Sequence, residues 1–175
     1  MSMDTWIGTF VGGRFSYTNP ETSNIDVVDI AHALSNVCRF AGHTREFYSV
    51  AQHSVLVSLN VPPEDAIDGL MHDASEAYLG DVASPLKWLL PDYKIIEAKC
   101  EDEIRRRFGL GAKKPPSVKI ADMRMLATER RDLINHDGTE WLCLAGVDPY
   151  DFRITPMAPK DAERLFLLRF KELVG

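Results

Sequence analysis

The chain is short of cysteine, of basic charge and of long apolar runs, and each shortage excludes something. Its three cysteines, Cys38, Cys100 and Cys143, fall in no paired or knuckle spacing. That argues against a disulfide framework or a thiolate zinc site and leaves reduced, partly buried thiols as the expectation. No apolar run approaches the roughly 20 residues needed to cross a bilayer, and Met1 to Phe10 lacks the basic and apolar regions of a secretory leader. A cytoplasmic protein with no membrane partner is expected. Lys and Arg number 20 against 26 Asp and Glu, for a net charge of -6. This deficit argues against general nucleic-acid binding, which needs clustered cations on the phosphate backbone. A small anionic substrate stays compatible, because one metal ion and one or two arginines supply enough local positive charge. Internal repeats and low-complexity tracts are absent too. What is present, 175 residues with 45% hydrophobic content, suits one compact domain spanning 1–175.

The N-terminal segment Thr5 to Phe10, then Val11-Gly-Gly, then Arg14 to Tyr17, reads as a β-hairpin closed at a Gly-Gly turn. Beyond it the pattern is helical. Asp26 is a good N-cap, and Val27, Ile30, Ala31, Leu34, Val37 and Cys38 recur at helical spacing as far as Phe40, with Gly42 as the stop. A second helix is predicted from near Thr44 to Leu59, ended by Pro62-Pro63. A third follows at once, with Ala66, Ile67, Leu70, Met71, Ala74, Ala77 and Tyr78 on one face and Gly80 at its end. The loop Asp81 to Pro85 comes next. Further helices are predicted over Asp92–Phe108, Ser117–Asn135 and Asp161–Leu173, with a short linker at Gly109–Pro116. The fold class is mainly α, a helical bundle with a small N-terminal β-hairpin.

The tight break at Asn60 to Pro63 folds the second and third helices back on each other. His53 and His72 lie at similar distances from that break, so a rise of about 1.5 Å per residue brings them to the same height, face to face. His72, Asp73 and Glu76 share a polar stripe that Gly69 and Gly80 extend, which makes it accessible. Imidazole nitrogen with carboxylate oxygen suits one divalent transition metal, Zn, Co, Mn or Fe, better than Mg or Ca. Asp122 and Glu129, seven residues apart, lie on one face of a later helix, and Asp122 is the better candidate for a buried ligand.

The segments Val50-Ala-Gln-His53-Ser, Met71-His72-Asp73-Ala-Ser-Glu76-Ala, Gly80-Asp81 and Ala121-Asp122 resemble, in order, the HD phosphohydrolase superfamily. The resemblance covers roughly Ile25 to Asn135, the HD core, and is closest to bacterial 5'-deoxynucleotidases and their phage and prophage relatives. It implies metal ligation by His53, His72, Asp73 and Asp122, with His53, Asp73 and Asp122 also facing substrate. It implies phosphate orientation by Arg39 in Asn36-Val-Cys-Arg-Phe-Ala-Gly, with Phe40 beside it in the substrate pocket. Acid–base roles fall to Glu76 and Asp81, not separately assigned. Asp81-Val-Ala-Ser84-Pro-Leu-Lys87 resembles the family's substrate loop, so Ser84 and Lys87 are expected to contact sugar or phosphate. The chain departs from larger relatives in a shortened interval between His53 and His72 and a truncated C-terminus, which bear on substrate choice.

Plainer readings compete for individual residues. Arg39 could be a salt-bridge partner of Glu46 or Asp29. His32, His43 and His136 read as structural or surface histidines, His43 being the nearest to an exception. Glu129-Arg-Arg-Asp132 is most simply a solvated, salt-bridged helix face, with Glu129 reaching the site as the lesser alternative. The leading functional expectation is hydrolysis of a deoxyribonucleoside monophosphate to nucleoside and phosphate, the small-molecule nucleotide being the partner. Alternatives are a deoxynucleoside triphosphate triphosphohydrolase and a non-catalytic nucleotide-sensing module. Oxidative di-iron chemistry would require further histidines near His72, which the sequence does not place there. A homo-oligomer is expected by analogy with related enzymes.

Overall fold

A computed structural model describes residues 5–135 and 137–175; His136 lies outside them. The chain is mainly helical with a two-stranded antiparallel hairpin at its N-terminal end. Strands β1 (Trp6–Gly8) and β2 (Arg14–Ser16) pair with Ile7 opposite Phe15. The turn closes by Gly12 N–H donating to Thr9 O at 3.0 Å, and the positive φ of 88° at Gly12 explains the glycine there. Asp29 Oδ1 accepts from Val11 N at 2.7 Å and docks the turn on the first helix.

That helix, α1 (Val27–Asn36), starts where expected, its Asp26 cap accepting from Val28 N. It ends four residues before Phe40. Val37 and Cys38 are extended, and residues 37–50 form a small antiparallel clasp: Arg39 N donates to Tyr48 O at 2.9 Å and Val50 N to Val37 O at 3.0 Å. These bonds compete with the helical ladder and remove the predicted helical start at Thr44. Helix α2 (Val50–Leu59) begins instead at the Ser49 cap, whose side chain accepts from Gln52 N. Between them Phe40 and Ala41 hold left-handed backbone, at φ 56° and 50°, a cost that non-glycine residues rarely bear away from functional sites.

The third predicted helix is two. Helix α3 (Ala66–Met71) stops at the His-Asp pair, a turn of tightened i→i+3 bonds follows, and α4 (Glu76–Leu79) resumes until Gly80 ends it at φ 76°. The cause is local, since His72 Nδ1 donates to Gly69 O at 2.7 Å and takes a carbonyl the helix would use. Helix α5 (Ser84–Lys87) is not among the predicted helices and begins inside the expected loop Asp81–Pro85, while α6 (Pro91–Arg107), α7 (Pro116–Leu133) and α8 (Pro159–Val174) match the later predicted helices within two residues.

Helix α2 is the axis of the bundle. Eight of its residues are buried, and it packs on α1, α3, α7 and α8. One apolar cluster, including Phe15, Ile30, Leu34, Val55, Leu70 and Phe166, covers one side, and a second, including Tyr48, Val57, Met125 and Ile154, lies towards α7. A helix surrounded on all sides can carry His53 into the interior only if polar neighbours meet it there. All three cysteines are free thiols, Cys100 buried and Cys143 exposed. Among the described residues no helix is long and apolar enough to cross a membrane.

Candidate metal centre

His53 on α2 and His72 after α3 meet as the hairpin geometry predicts, their Nε2 atoms 3.2 Å apart. Both other ring nitrogens are engaged: His53 Nδ1 donates to Glu129 Oε1 at 2.6 Å and His72 Nδ1 to Gly69 O at 2.7 Å. A carboxylate or carbonyl oxygen only accepts, so each ring carries its hydrogen on Nδ1 and aims Nε2 at the shared point. Asp122 Oδ1 on α7 lies 3.5 Å from His53 Nε2, and Asp73 Oδ2 lies 3.2 Å from His72 Nε2 and 3.7 Å from His53 Nε2. Ligand atoms of His53, His72 and Asp122 fall within 4.8 Å of one another, a group able to hold a metal ion. The donor set fits a cation. It joins two imidazole nitrogens oriented from behind to carboxylate oxygens gathered at one point, which without a shared positive charge would repel one another.

Electrostatics in the pocket follow from that crowding. Burial and the Arg39 charge push the His53 pKa down, but Glu129 and Asp122 outweigh them and raise it to about 9. Burial alone would raise Asp73 and Asp122; the two imidazoles, with Arg39 acting on Asp73, hold both carboxyls below their usual range. Glu76 goes the other way, pushed well up by burial and then by the Asp73 and Asp81 charges. Its Oε2 is buried without a hydrogen-bond partner. Asp81 is likewise raised by burial, with Arg39 pulling against it.

Arg39 corrects one expectation. It follows α1 on the clasp instead of ending a helix, and its guanidinium is turned inward, Nε and Nη2 donating to Glu129 Oε2 at 3.2 and 3.1 Å. Neither Glu46 nor Asp29 is its partner. Nη1, 3.5 Å from Asp73 Oδ2, is the edge that Glu129 leaves uncommitted. Glu129 corrects another: with Asp132 it belongs to no solvated face, being fully buried between His53 and Arg39. Asp132 is tied to Arg131, Arg153 and Ile154 N. The stripe around the His-Asp pair is not open at Gly69, which packs against Ser58.

Of the remaining predicted residues, Lys87 Nζ reaches Glu76 Oε1 at 3.6 Å and Glu97 Oε1 at 2.5 Å, so it borders the centre, while Ser84 is exposed on α5. Phe40 stands between Arg39, 5.4 Å from its ring, and Trp141, at 6.2 Å between ring centroids. Nothing in the sequence pattern pointed to Trp141. His32 stacks on Phe10 and meets Glu163, and His43 is exposed, as surface histidines would be.

Fold and site together define a mainly α-helical protein with a histidine–carboxylate centre enclosed by three helices and the turn after α3. No family model matches the chain. It is 49% identical over 170 residues to "Uncharacterized protein YfdR" of Escherichia coli, covering 97% of this chain and 96% of that protein. It is also 32% identical over 126 residues to "Uncharacterized protein RCAP_rcc00048" of Rhodobacter capsulatus, 66% of this chain and 64% of that one. The chain belongs to the family of YfdR.

Proposed function

We propose that the protein is a divalent-metal-dependent phosphohydrolase of the HD type, acting on deoxyribonucleoside monophosphates. The observation that carries this reading is the pair of convergent Nε2 atoms, each fixed from behind by an acceptor on its Nδ1, with Asp73 and Asp122 beside them. A structural histidine pair has no need of two Nε2 atoms aimed at one point beside two carboxylates; a cation, which takes the place of the His53 proton, does. His53, His72, Asp73 and Asp122 hold the ion, a first-row transition metal by the softness of its donors. When bound, the ion supplies Lewis acidity towards phosphoryl oxygens and eases deprotonation of water.

The chain's own residues do the rest. Arg39, clamped by Glu129, offers Nη1 to a phosphoryl oxygen at a cationic point that costs no reordering, and neighbouring carboxylates keep that guanidinium charged more firmly than usual despite its burial. Glu76 and Asp81 share the acid–base work: one accepts a proton from the attacking water, the other returns one to the ester oxygen as the P–O bond breaks. Lys87 restrains the Glu76 carboxylate, and Phe40 with Trp141 walls the Arg39 side.

Turnover on mono-, di- and triphosphates of each deoxynucleoside, with several divalent ions and an Asp73→Ala control, tests the reading. Phosphate release from monophosphates that disappears in Asp73→Ala is expected. Tripolyphosphate without monophosphate turnover would move the cut to the triphosphohydrolase reaction. Bound metal with no ester turned over would leave a nucleotide-sensing module.

A further inference from the structure

Helix α6 is 17 residues long, yet only Cys100, Ile104 and Arg105 are buried, so its first nine residues make no core. Helix α5 before it buries none. On the bare half of α6, Asp92, Ile95, Ile96 and Lys99 recur at i, i+3, i+4 and i+7 and therefore share one stripe. All four are exposed, Ile95 by 57% and Ile96 by 37%. Leu86, Leu90, Trp88 at 78% and Leu89 at 76% are exposed on α5 and the turn that leads into α6. Six apolar side chains at such exposures within residues 86–96 leave on the order of 500 Å² of apolar surface to solvent. The segment is braced, Lys87 bonding Glu97 across the α5–α6 turn and Lys94 lying over the Trp88 ring.

We propose that this face binds the same face of a second copy of the chain, α6 against α6, antiparallel about a two-fold axis passing between Ile95 and Ile96. The order of residues along the stripe specifies that partner. An acid at one end, two isoleucines in the middle and a base at the other is self-complementary under a two-fold, which sets Asp92 of each copy against Lys99 of the other and stacks the isoleucines at the axis. Neither Asp92 nor Lys99 makes an ion pair within the described residues. The apolar area is of the scale that one side of a standard interface contributes, about 800 Å² including its polar rim. A membrane surface would call for a basic flank, whereas here the exposed acids Asp92 and Asp102 bracket Lys94 and Lys99. None of the residues to be tested belongs to the metal centre, so this inference stands or falls apart from the proposed chemistry.

Sedimentation velocity over a concentration series of the full chain tests it, with far-UV circular dichroism confirming that each variant keeps its helices. The wild type is expected to sediment as a dimer. Lys99→Glu and Asp92→Lys each place two like-charge pairs in the interface and should weaken association at least ~10-fold. The double variant Asp92→Lys/Lys99→Glu restores opposite charges in swapped positions and should recover most of the loss. A wild type that stays monomeric, a Lys99→Glu variant with undiminished association, or a double variant no better than either single one would overturn the proposal.

Discussion

Glu129 Oε1 accepts the Nδ1 hydrogen of His53 at 2.6 Å, both residues fully buried, while the same carboxylate's other oxygen receives two nitrogens of Arg39. One carboxylate thereby orients an imidazole and clamps a guanidinium. Glu129 is the residue through which the metal side and the phosphate side of the proposed pocket are mechanically joined.

Glu129→Gln tests that joint. The amide still offers an oxygen to His53 Nδ1 but loses the charge that Arg39 requires. Zinc affinity, measured by competition with a chelator, is expected to fall about 10- to 100-fold, the usual effect of altering an outer partner of a metal-bound histidine. Glu129→Ala leaves a buried guanidinium uncompensated and should cost about 3–5 kcal/mol in urea unfolding. Unchanged zinc affinity in Glu129→Gln would show that a neutral acceptor orients His53 as well as the carboxylate does.

Metal content gives a second check. Mass spectrometry of metals in protein purified with added Zn or Mn should find one ion per chain, lost in His72→Ala and in Asp122→Asn. Both side chains are partly or wholly enclosed at the convergence point, and far-UV circular dichroism should show that both variants keep their helices. Metal retained at one per chain in both would remove these residues from the ligand set.

Much of this site was legible in the sequence because it depends on periodicity and on a hairpin break. The facing of His53 and His72 followed from counting residues either side of Pro62-Pro63. The shared face of Asp122 and Glu129 followed from their seven-residue spacing. The clasp over residues 37–50 was not legible: its bonds join backbone atoms from separate segments, and a propensity pattern reads Val37-Cys38 as helix because it cannot see Tyr48 and Ser49 arriving alongside. The break at His72 was hidden similarly, since apolar spacing runs unbroken through Ala74 and Ala77 while a side chain takes the Gly69 carbonyl. Glu129 looked like part of a solvated charge run because its partners lie 90 and 76 residues away.

Proton and metal compete for His53, which sets the sign of a pH effect. Its pKa rises from 6.5 to about 9 on folding, so its contribution to stability is full below 6.5 and is lost as pH climbs through 9. Glu76 and Asp81 are also raised, by burial first, and lose stability in the same direction from a lower pH. Metal-stripped protein carrying Glu76→Gln should therefore show its Tm falling on the order of 5 °C between pH 6.5 and 9. Saturating metal should abolish most of that fall, and its affinity should rise over the same interval as the proton leaves. A flat Tm in the stripped protein would mean that Glu129 and Asp122 do not hold His53 protonated.

Gly69→Ala probes how closely α2 and α3 must approach. A Cβ there would stand 3.1 Å from Ser58 Cα, 3.2 Å from Val61 Cγ2 and 3.3 Å from Ser58 N. Alanine gains up to about 1 kcal/mol of helix propensity over glycine. The contact opposes it, and two of its atoms are backbone. Ser58 cannot yield cheaply, because its Oγ donates to Ala66 O at 2.7 Å while its hydroxyl and carbonyl receive Arg169. The overpacking cost of about 1–3 kcal/mol should outweigh the propensity gain, for a net loss of roughly 1 kcal/mol in urea unfolding. Gly69 O also fixes the His72 ring, and its helix sets that ring's distance from His53. Displacing α3 by a few tenths of an ångström therefore strains the convergence of the two Nε2 atoms, and zinc affinity should drop with stability. A Gly69→Ala variant that is destabilised yet binds zinc as the wild type does would separate helix spacing from the geometry of the centre.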